Sequence, residues 1–147
     1  MRRRLRGRQS TSFRGRAAED RAVRHLVRRH GYRVIERNHR NPRGEIDLVA
    51  WDAGGADPVL CFVEIKSRAD SSHGSAAQAV DEAKQRRVRR AAEVYLQQWQ
   101  RDGFEIPDCR FDVVLVERRE RPPGSESIFR GGWGRGWTVE LIRGAFE

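Results

Sequence analysis

Two stretches decide the fold: Gly44–Asp52, GEIDLVAWD, and Leu60–Arg68, LCFVEIKSR. Each is apolar and β-branched enough to form a strand, yet each carries carboxylates in its middle. The AGGADP segment between them, residues 53–58, has Gly/Pro turn chemistry, so the two runs pair as a hairpin. Side chains alternate across a strand, which puts Glu64 and Lys66 on one face and Val63 and Ile65 on the other. On the first strand the same alternation groups Glu45, Asp47 and Val49 against Ile46, Leu48 and Ala50. With the strands as neighbours, Asp47 lies near Glu64.

The flanks fill in around this hairpin. Upstream, YRVIERNHR at 32–40 is a first strand with Tyr32, Val34 and Glu36 on one face, and NPRG at 41–44 is a turn. Before it, Arg14 to His30 has a helical period. Ala18, Ala22 and Leu26 recur at four-residue spacing, Val23 and Val27 widen the stripe, and Gly31 stops it. Residues 1–13, MRRRLRGRQSTSF, read as a disordered basic arm, either a solvated tail or a non-specific phosphate contact. Downstream of the hairpin, ADSSHGS is a loop. A long helix follows from about Ala76 to Arg101, with Val80, Ala83, Val88, Ala91, Ala92, Tyr95, Leu96 and Trp99 on its apolar stripe. RFDVVLVERR is nearly continuous in apolar residues, as in a strand covered on both faces. ERPPGSESIFRGGWGRG is an irregular connection, and WTVELIRGAF closes the chain as an edge strand or short terminal element. The order α-β-β-β-α-β plus a last element predicts an α/β fold, a mixed sheet flanked by helices, in a single domain over 14–147.

Composition narrows the function classes. A chain of 147 residues supports one modest core. No apolar run is long enough to span a bilayer. Residues 1–18 lack the apolar core of a secretory signal, and although their Arg/Ser bias suits an organellar transit peptide, the helical period begins almost at once. Net charge is +9 and the isoelectric point about 11.0, which favours polyanionic partners, nucleic acid first and anionic membrane second. Arg-rich composition alone produces the same balance. Cys61 and Cys109 form no metal spacing and read as buried, reduced thiols of a cytoplasmic protein. His25, His30, His39 and His73 show no ligand spacing and default to surface polar residues. Catalytic triads, phosphate loops and dinucleotide fingerprints are absent.

What remains is the carboxylates and the lysine. Two buried carboxylates a few ångströms apart repel, and a hard divalent cation such as Mg²⁺ or Mn²⁺ resolves the conflict. The Ile65 carbonyl lies between Glu64 and Lys66 and offers a further oxygen. Among 30 basic residues lysine stands only at 66 and 84, so arginine supplies the other 28. A position that escapes this bias wants an ammonium, a compact charge able to hold a nucleophile or stabilise developing negative charge. The plain alternative is a Lys66–Glu64 salt bridge on an exposed strand face. On the second helix KQRRVRR presents Lys84, Arg86 and Arg90. With Arg40, Arg43 and Arg68 they suggest a cradle for backbone phosphates, though each alone fits a solvated face. Trp133 and Trp137 could stack on unpaired bases or pack a C-terminal flap on the core.

GEIDLVA followed by FVEIKSR resembles the D…(D/E)-x-K core of the PD-(D/E)XK nuclease superfamily. More closely, the chain resembles the YraN-type family, related to archaeal Holliday-junction resolvases. The residues that carry this are GRAAEDRAVRHL, GYRVIERNHRNPRGEIDLVA, CFVEIKSR, AVDEAKQRRVRRAAEVYL, RFDVVLV and the closing AF. The resemblance implies a restriction-endonuclease-like α-β-β-β-α-β core. It implies Asp47 and Glu64 as metal ligands with Ile65, Lys66 as the catalytic lysine, and Glu19 as a fourth acidic member on the first helix. A helix-terminal carboxylate favoured by the macrodipole accounts equally for Glu19. No proline precedes Asp47, which makes Glu45 a substitute ligand. The implied activity is Mg²⁺- or Mn²⁺-dependent hydrolysis of phosphodiesters in DNA, branched DNA included, with a homodimer if junctions are cut. The competing readings are a nucleic-acid-binding module that keeps the fold with little or no catalysis, and an interaction protein whose basic surface meets acidic protein or RNA.

Overall fold

The computed structural model describes residues 9–67, 80–118 and 136–147. Seven elements run in the order α1 (Gln9–His30), β1 (Tyr32–Asn41), β2 (Gly44–Asp52), β3 (Val59–Ser67), α2 (Glu82–Arg101), β4 (Cys109–Arg118) and β5 (Trp137–Phe146). The strands form one sheet in the order β1-β2-β3-β4-β5. Neighbours are antiparallel except β3 and β4, which are parallel. A parallel pair needs a crossover, and α2 lies within it. This is the expected α/β arrangement, consistent with a restriction-endonuclease-like core.

Each face of the sheet is buried under one helix. On the first, Ala18, Ala22 and Leu26 of α1 pack on Leu48, Ala50, Cys61, Val63, Val114 and Val116. On the second, Ala91 and Ala92 of α2 pack on Ile46, Val49, Leu60 and Phe62, and Val80 and Val88 pack with Val113, Leu115 and Phe146. Val113 through Val116 are all buried, because β4 is covered on both sides.

Several boundaries differ from expectation. The helix assignment of α1 starts at Gln9 rather than Arg14, so it takes in residues 9–13 of the stretch read as a disordered arm. Residues 1–8 lie outside the described part. Helix α2 starts at Glu82 rather than near Ala76. Asp81 is its N-cap, extended at φ −67° and ψ 163°, and its carboxylate accepts the Lys84 amide at 2.8 Å. Strand β5 is a ten-residue edge strand, and Trp137 packs toward the α1 side with Arg21 4.8 Å above its ring. The described segment therefore packs on the core. Trp133 lies outside the described residues. Cys61 is buried, and burial pushes its thiol up to about 12. Cys109, the first residue of β4, is exposed, against expectation.

One polar cluster lies inside the α1 face. Arg110 contacts Asp52 at 2.6 Å, Asp112 at 2.7 Å and the Tyr32 hydroxyl at 3.0 Å. Tyr32 donates to Asp112 at 2.8 Å, and the Gly144 amide donates to Asp112 at 2.9 Å. Residues of β1, β2, β4 and β5 are thereby joined. Asp52 stands five residues from Asp47, about 16 Å along β2.

Candidate active site

Strict alternation fails at the residue that matters most. Leu48 and Ala50 face α1, as alternation demands, but Ile46 joins Val49 under α2. The change of side falls at Asp47. The β2–β3 register runs from Asp52↔Val59 to Leu48↔Val63 and goes no further. Beyond it the Asp47 carboxylate accepts the Ile65 amide at 2.8 Å, replacing a ladder carbonyl with a side chain. A buried amide must find an acceptor, so this bond fixes the Asp47 carboxylate against β3. Glu45 does not share its environment. It is exposed and paired with Arg40 at 3.0 Å, which removes it as a substitute ligand.

Glu64 is the other half of the site. It stands beside Val113 of β4 and points under the first turn of α2, only 4% exposed. Its Oε2 lies 3.5 Å from the Lys84 ammonium. Its Oε1 is buried with no hydrogen-bond partner. Burial, then the charge of Asp47, push its pKa up to about 8, and Lys84 pulls it back only in part. A carboxylate kept in such a place against its solvation preference needs a reason, because an orphaned buried acceptor costs free energy.

Asp47, Glu64, Ile65, Lys66, Lys84 and Arg87 line one cavity of about 390 Å³. Glu64 and Lys66 do share a face, and Asp47 does meet Glu64, as alternation and the hairpin require. Both lysines of the chain stand at this cavity. The helix start completes its wall: the Lys84 amide, then Arg87 and Lys66, hold the exposed Asp81 carboxyl below its usual range. Asp47 and Glu64 bring their carboxylates to the cavity, with Ile65 between Glu64 and Lys66 in its wall. Among the described residues no group of three or more His, Cys, Asp or Glu is arranged to hold a metal ion.

The remaining candidates lie elsewhere. Glu19 sits on α1, across the sheet from Glu64, and takes the Asn38 amide at 3.4 Å and Arg37 at 3.9 Å. It does not line the cavity. Its partner Asn38, at φ 53°, falls between the Arg37↔Leu48 and His39↔Ile46 pairs, as Asp47 does on β2. Arg40 and Arg43 are exposed on and beside the β1–β2 turn. Arg86 pairs with Glu82 at 3.7 Å on the outer face of α2, and Arg90 is exposed there. Arg68 and His73 lie outside the described residues. His39 is not a free surface group: it contacts Glu36 at 3.0 Å and Asn41 at 3.1 Å. The contact missed in the sequence is Lys84 with Glu64. The rarity of lysine that marks Lys66 marks Lys84 with equal force, but the arginines around it give it the local pattern of one more phosphate contact.

A model of the "Uncharacterised protein family UPF0102" matches residues 18–116. That span runs from the buried stripe of α1 to the end of the β4 core and holds every residue of the cavity. A UPF0102 protein of Symbiobacterium thermophilum is 50% identical over 133 residues, which cover 90% of this chain and 95% of the relative. One of Dechloromonas aromatica is 46% identical, covering 74% of this chain and 82% of the relative. One of Chlorobium phaeobacteroides is 37% identical, covering 90% and 92%.

Proposed function

The chain belongs to the UPF0102 family, and we propose that it is an endonuclease that hydrolyses phosphodiester bonds in DNA with Mg²⁺ or Mn²⁺, branched DNA among its substrates. The observation that carries this reading is Glu64: a buried carboxylate with one orphaned oxygen, facing Asp47 across a cavity that collects both lysines of the chain. Two carboxylates and a backbone carbonyl suit Mg²⁺, which keeps several waters and takes the rest of its shell from substrate phosphate. The cation, when bound, supplies Lewis acidity and a water of lowered pKa. The chain supplies the rest. Asp47, held by the Ile65 amide, orients one carboxylate. Glu64, raised in pKa without the ion, gives up its proton as the positive charge arrives. Lys66 Nζ stands on the Glu64 side to hold the attacking water or to meet charge developing on the phosphoryl oxygens. Lys84 and Arg87 receive the phosphate at the N-terminal end of α2, where the helix dipole also favours an anion.

Two cuts across a junction need two sites, so junction resolution entails a homodimer. A cytoplasmic location accords with this chemistry. No helix among the described residues is long and apolar enough to cross a membrane.

A second reading is a DNA-binding module with the nuclease fold and little catalysis. It is favoured by Lys84, whose ammonium already stands 3.5 Å from Glu64, where a cation would otherwise sit. Cleavage of junction, flap, nicked and single-stranded DNA separates the two. The nuclease reading expects Mg²⁺-dependent products from wild type and at least a hundredfold loss in Asp47→Asn, Glu64→Gln and Lys66→Ala. Uncut DNA with every substrate, at binding affinities equal in wild type and variants, gives the site to the module.

A further inference from the structure

A second cavity of about 490 Å³ opens between the β1 edge and the C-terminal half of α2. Its walls are aromatic. Trp99 lies against Phe104 with ring centres 5.5 Å apart, and His39 meets Tyr95 edge-on at 4.9 Å. Phe104 is 60% exposed, with Ile106 also exposed two residues on, so apolar surface here faces water. The Trp99 indole N–H donates to the Glu105 carbonyl at 3.1 Å and its ring packs on Trp51, Tyr95 and Phe104, which leaves the exposed Phe104 ring as the surface open to a ligand.

The cavity lies on the same stripe of α2 as the candidate active site, with the buried Ala91 and the β1–β2 turn between them. Lys84, Arg87, Ala91, Val94 and Gln98 recur at alternating spacings of three and four, the spacing of one helix face. Lys84 and Arg87 line the Asp47–Glu64 cavity, and Val94 and Gln98 line the aromatic one. From Arg87 to Tyr95 is about 12 Å along the helix axis. Between them the β1–β2 turn is tied to α2 by Asn41, which donates to the Ala91 carbonyl at 2.9 Å. That turn carries Arg43 exposed to solvent, with Arg40 exposed just before it. The charges at the aromatic cavity have the opposite sign, since Glu36 and Asp102 line it. A phosphate is repelled there, whereas a neutral ring with exocyclic amino groups finds acceptors.

We propose that this aromatic groove takes an unpaired nucleobase of the strand whose phosphate enters the Asp47–Glu64 cavity, with the intervening backbone passing over Arg43. The substrate class is then DNA with single-stranded character beside the cut. The proposal rests on the nuclease reading above. Base–aromatic stacking is sequence-tolerant and strong enough for truncation to be measured.

The test uses the full chain carrying Asp47→Asn, so that binding is read without cleavage. Its affinity is measured for a perfect duplex and for the same duplex with a single-stranded gap containing 2-aminopurine. The parent is expected to prefer the gapped DNA and to quench the probe. Adding Phe104→Ser or Trp99→Leu lowers affinity for gapped DNA by about tenfold, leaves the duplex almost unchanged and abolishes the quenching. Phe104 is exposed, so its variant keeps the test valid if Trp99→Leu fails to fold. Equal binding of the two DNAs, or equal weakening of both by Phe104→Ser, overturns the base site. With the Asp47 protein cutting DNA, that result leaves the nuclease reading standing. A wild type that never cuts but loses gapped-DNA binding with Phe104→Ser keeps the base site and overturns the nuclease.

Discussion

Glu64 concentrates the argument at the scale of single residues. Its folded pKa of about 8 stands far above the ordinary 4.5. A carboxyl raised on folding binds its proton more tightly in the native state, so its contribution to stability is full below about pH 4.5 and is lost as pH rises through 8. Metal-free protein should therefore melt at progressively lower temperature between pH 5 and pH 9. Glu64→Gln, which cannot ionise, should flatten that slope, as differential scanning fluorimetry in chelator would show. An unchanged slope would mean that the carboxylate is better solvated than its burial indicates. The identity of this site was legible in part. Asp47, Glu64 and Lys66 follow from strand alternation and the scarcity of lysine. The flip of Ile46 onto the side of Val49 does not, because it depends on where the β2–β3 ladder stops, and a side chain rather than a backbone carbonyl decides that.

At the scale of elements, the start of α2 sets the geometry of the cavity. Asp81 caps the helix and thereby places Lys84 and Arg87 over Glu64. Asp81→Ala should lower the urea midpoint, since the Lys84 amide loses its cap. It should also weaken phosphate-dependent binding, since the first turn frays. The cap was hidden in the sequence because the alanines and glutamine at 76–79 extend the helical pattern backwards past it. Gly44 makes the second joint. A Cβ there would stand 3.2 Å from the Arg87 carbonyl oxygen, so the β1–β2 turn approaches α2 through a residue that has none. Gly44→Val is expected to destabilise the fold and to separate the two cavities. Near-wild-type melting of that variant would argue against so close a contact. The hairpin, the two amphipathic helices and the doubly buried β4 were all readable from periodicity, whereas this contact between distant segments had no local signature.

Across the whole molecule the sheet divides its polar residues between two faces. The α2 face carries the Asp47–Glu64 and aromatic cavities, and the α1 face carries the Arg110 cluster that joins four strands. Burial alone would raise the Asp52 carboxyl, but Arg110, the Gly54 amide and Arg143 outweigh it and hold it below its usual range. The stability it contributes is present above about pH 4 and is lost as pH falls through the depressed value. Arg110→Met leaves the fully buried Asp112 without its cation and Asp52 with Arg143 alone, and should cost about 3 kcal/mol or more in chemical denaturation. Because the cluster lies on the other face, the same variant should leave the residual fold's metal affinity intact. The charge of +9 predicts polyanion binding whatever the chemistry of the site, and so cannot separate nuclease from binding module. The division between the faces became visible only in the fold, since Arg110 meets Asp52 from 58 positions away in the chain.

The most direct measurement is anomalous diffraction from crystals of the chain grown with Mn²⁺ and an uncleaved oligonucleotide. The account predicts one strong peak within about 2.1 Å of a carboxylate oxygen of both Asp47 and Glu64, with the Lys84 ammonium displaced from Glu64 onto a phosphate. A cavity in which Lys84 still holds Glu64 and no Mn²⁺ lies between the two carboxylates would contradict it.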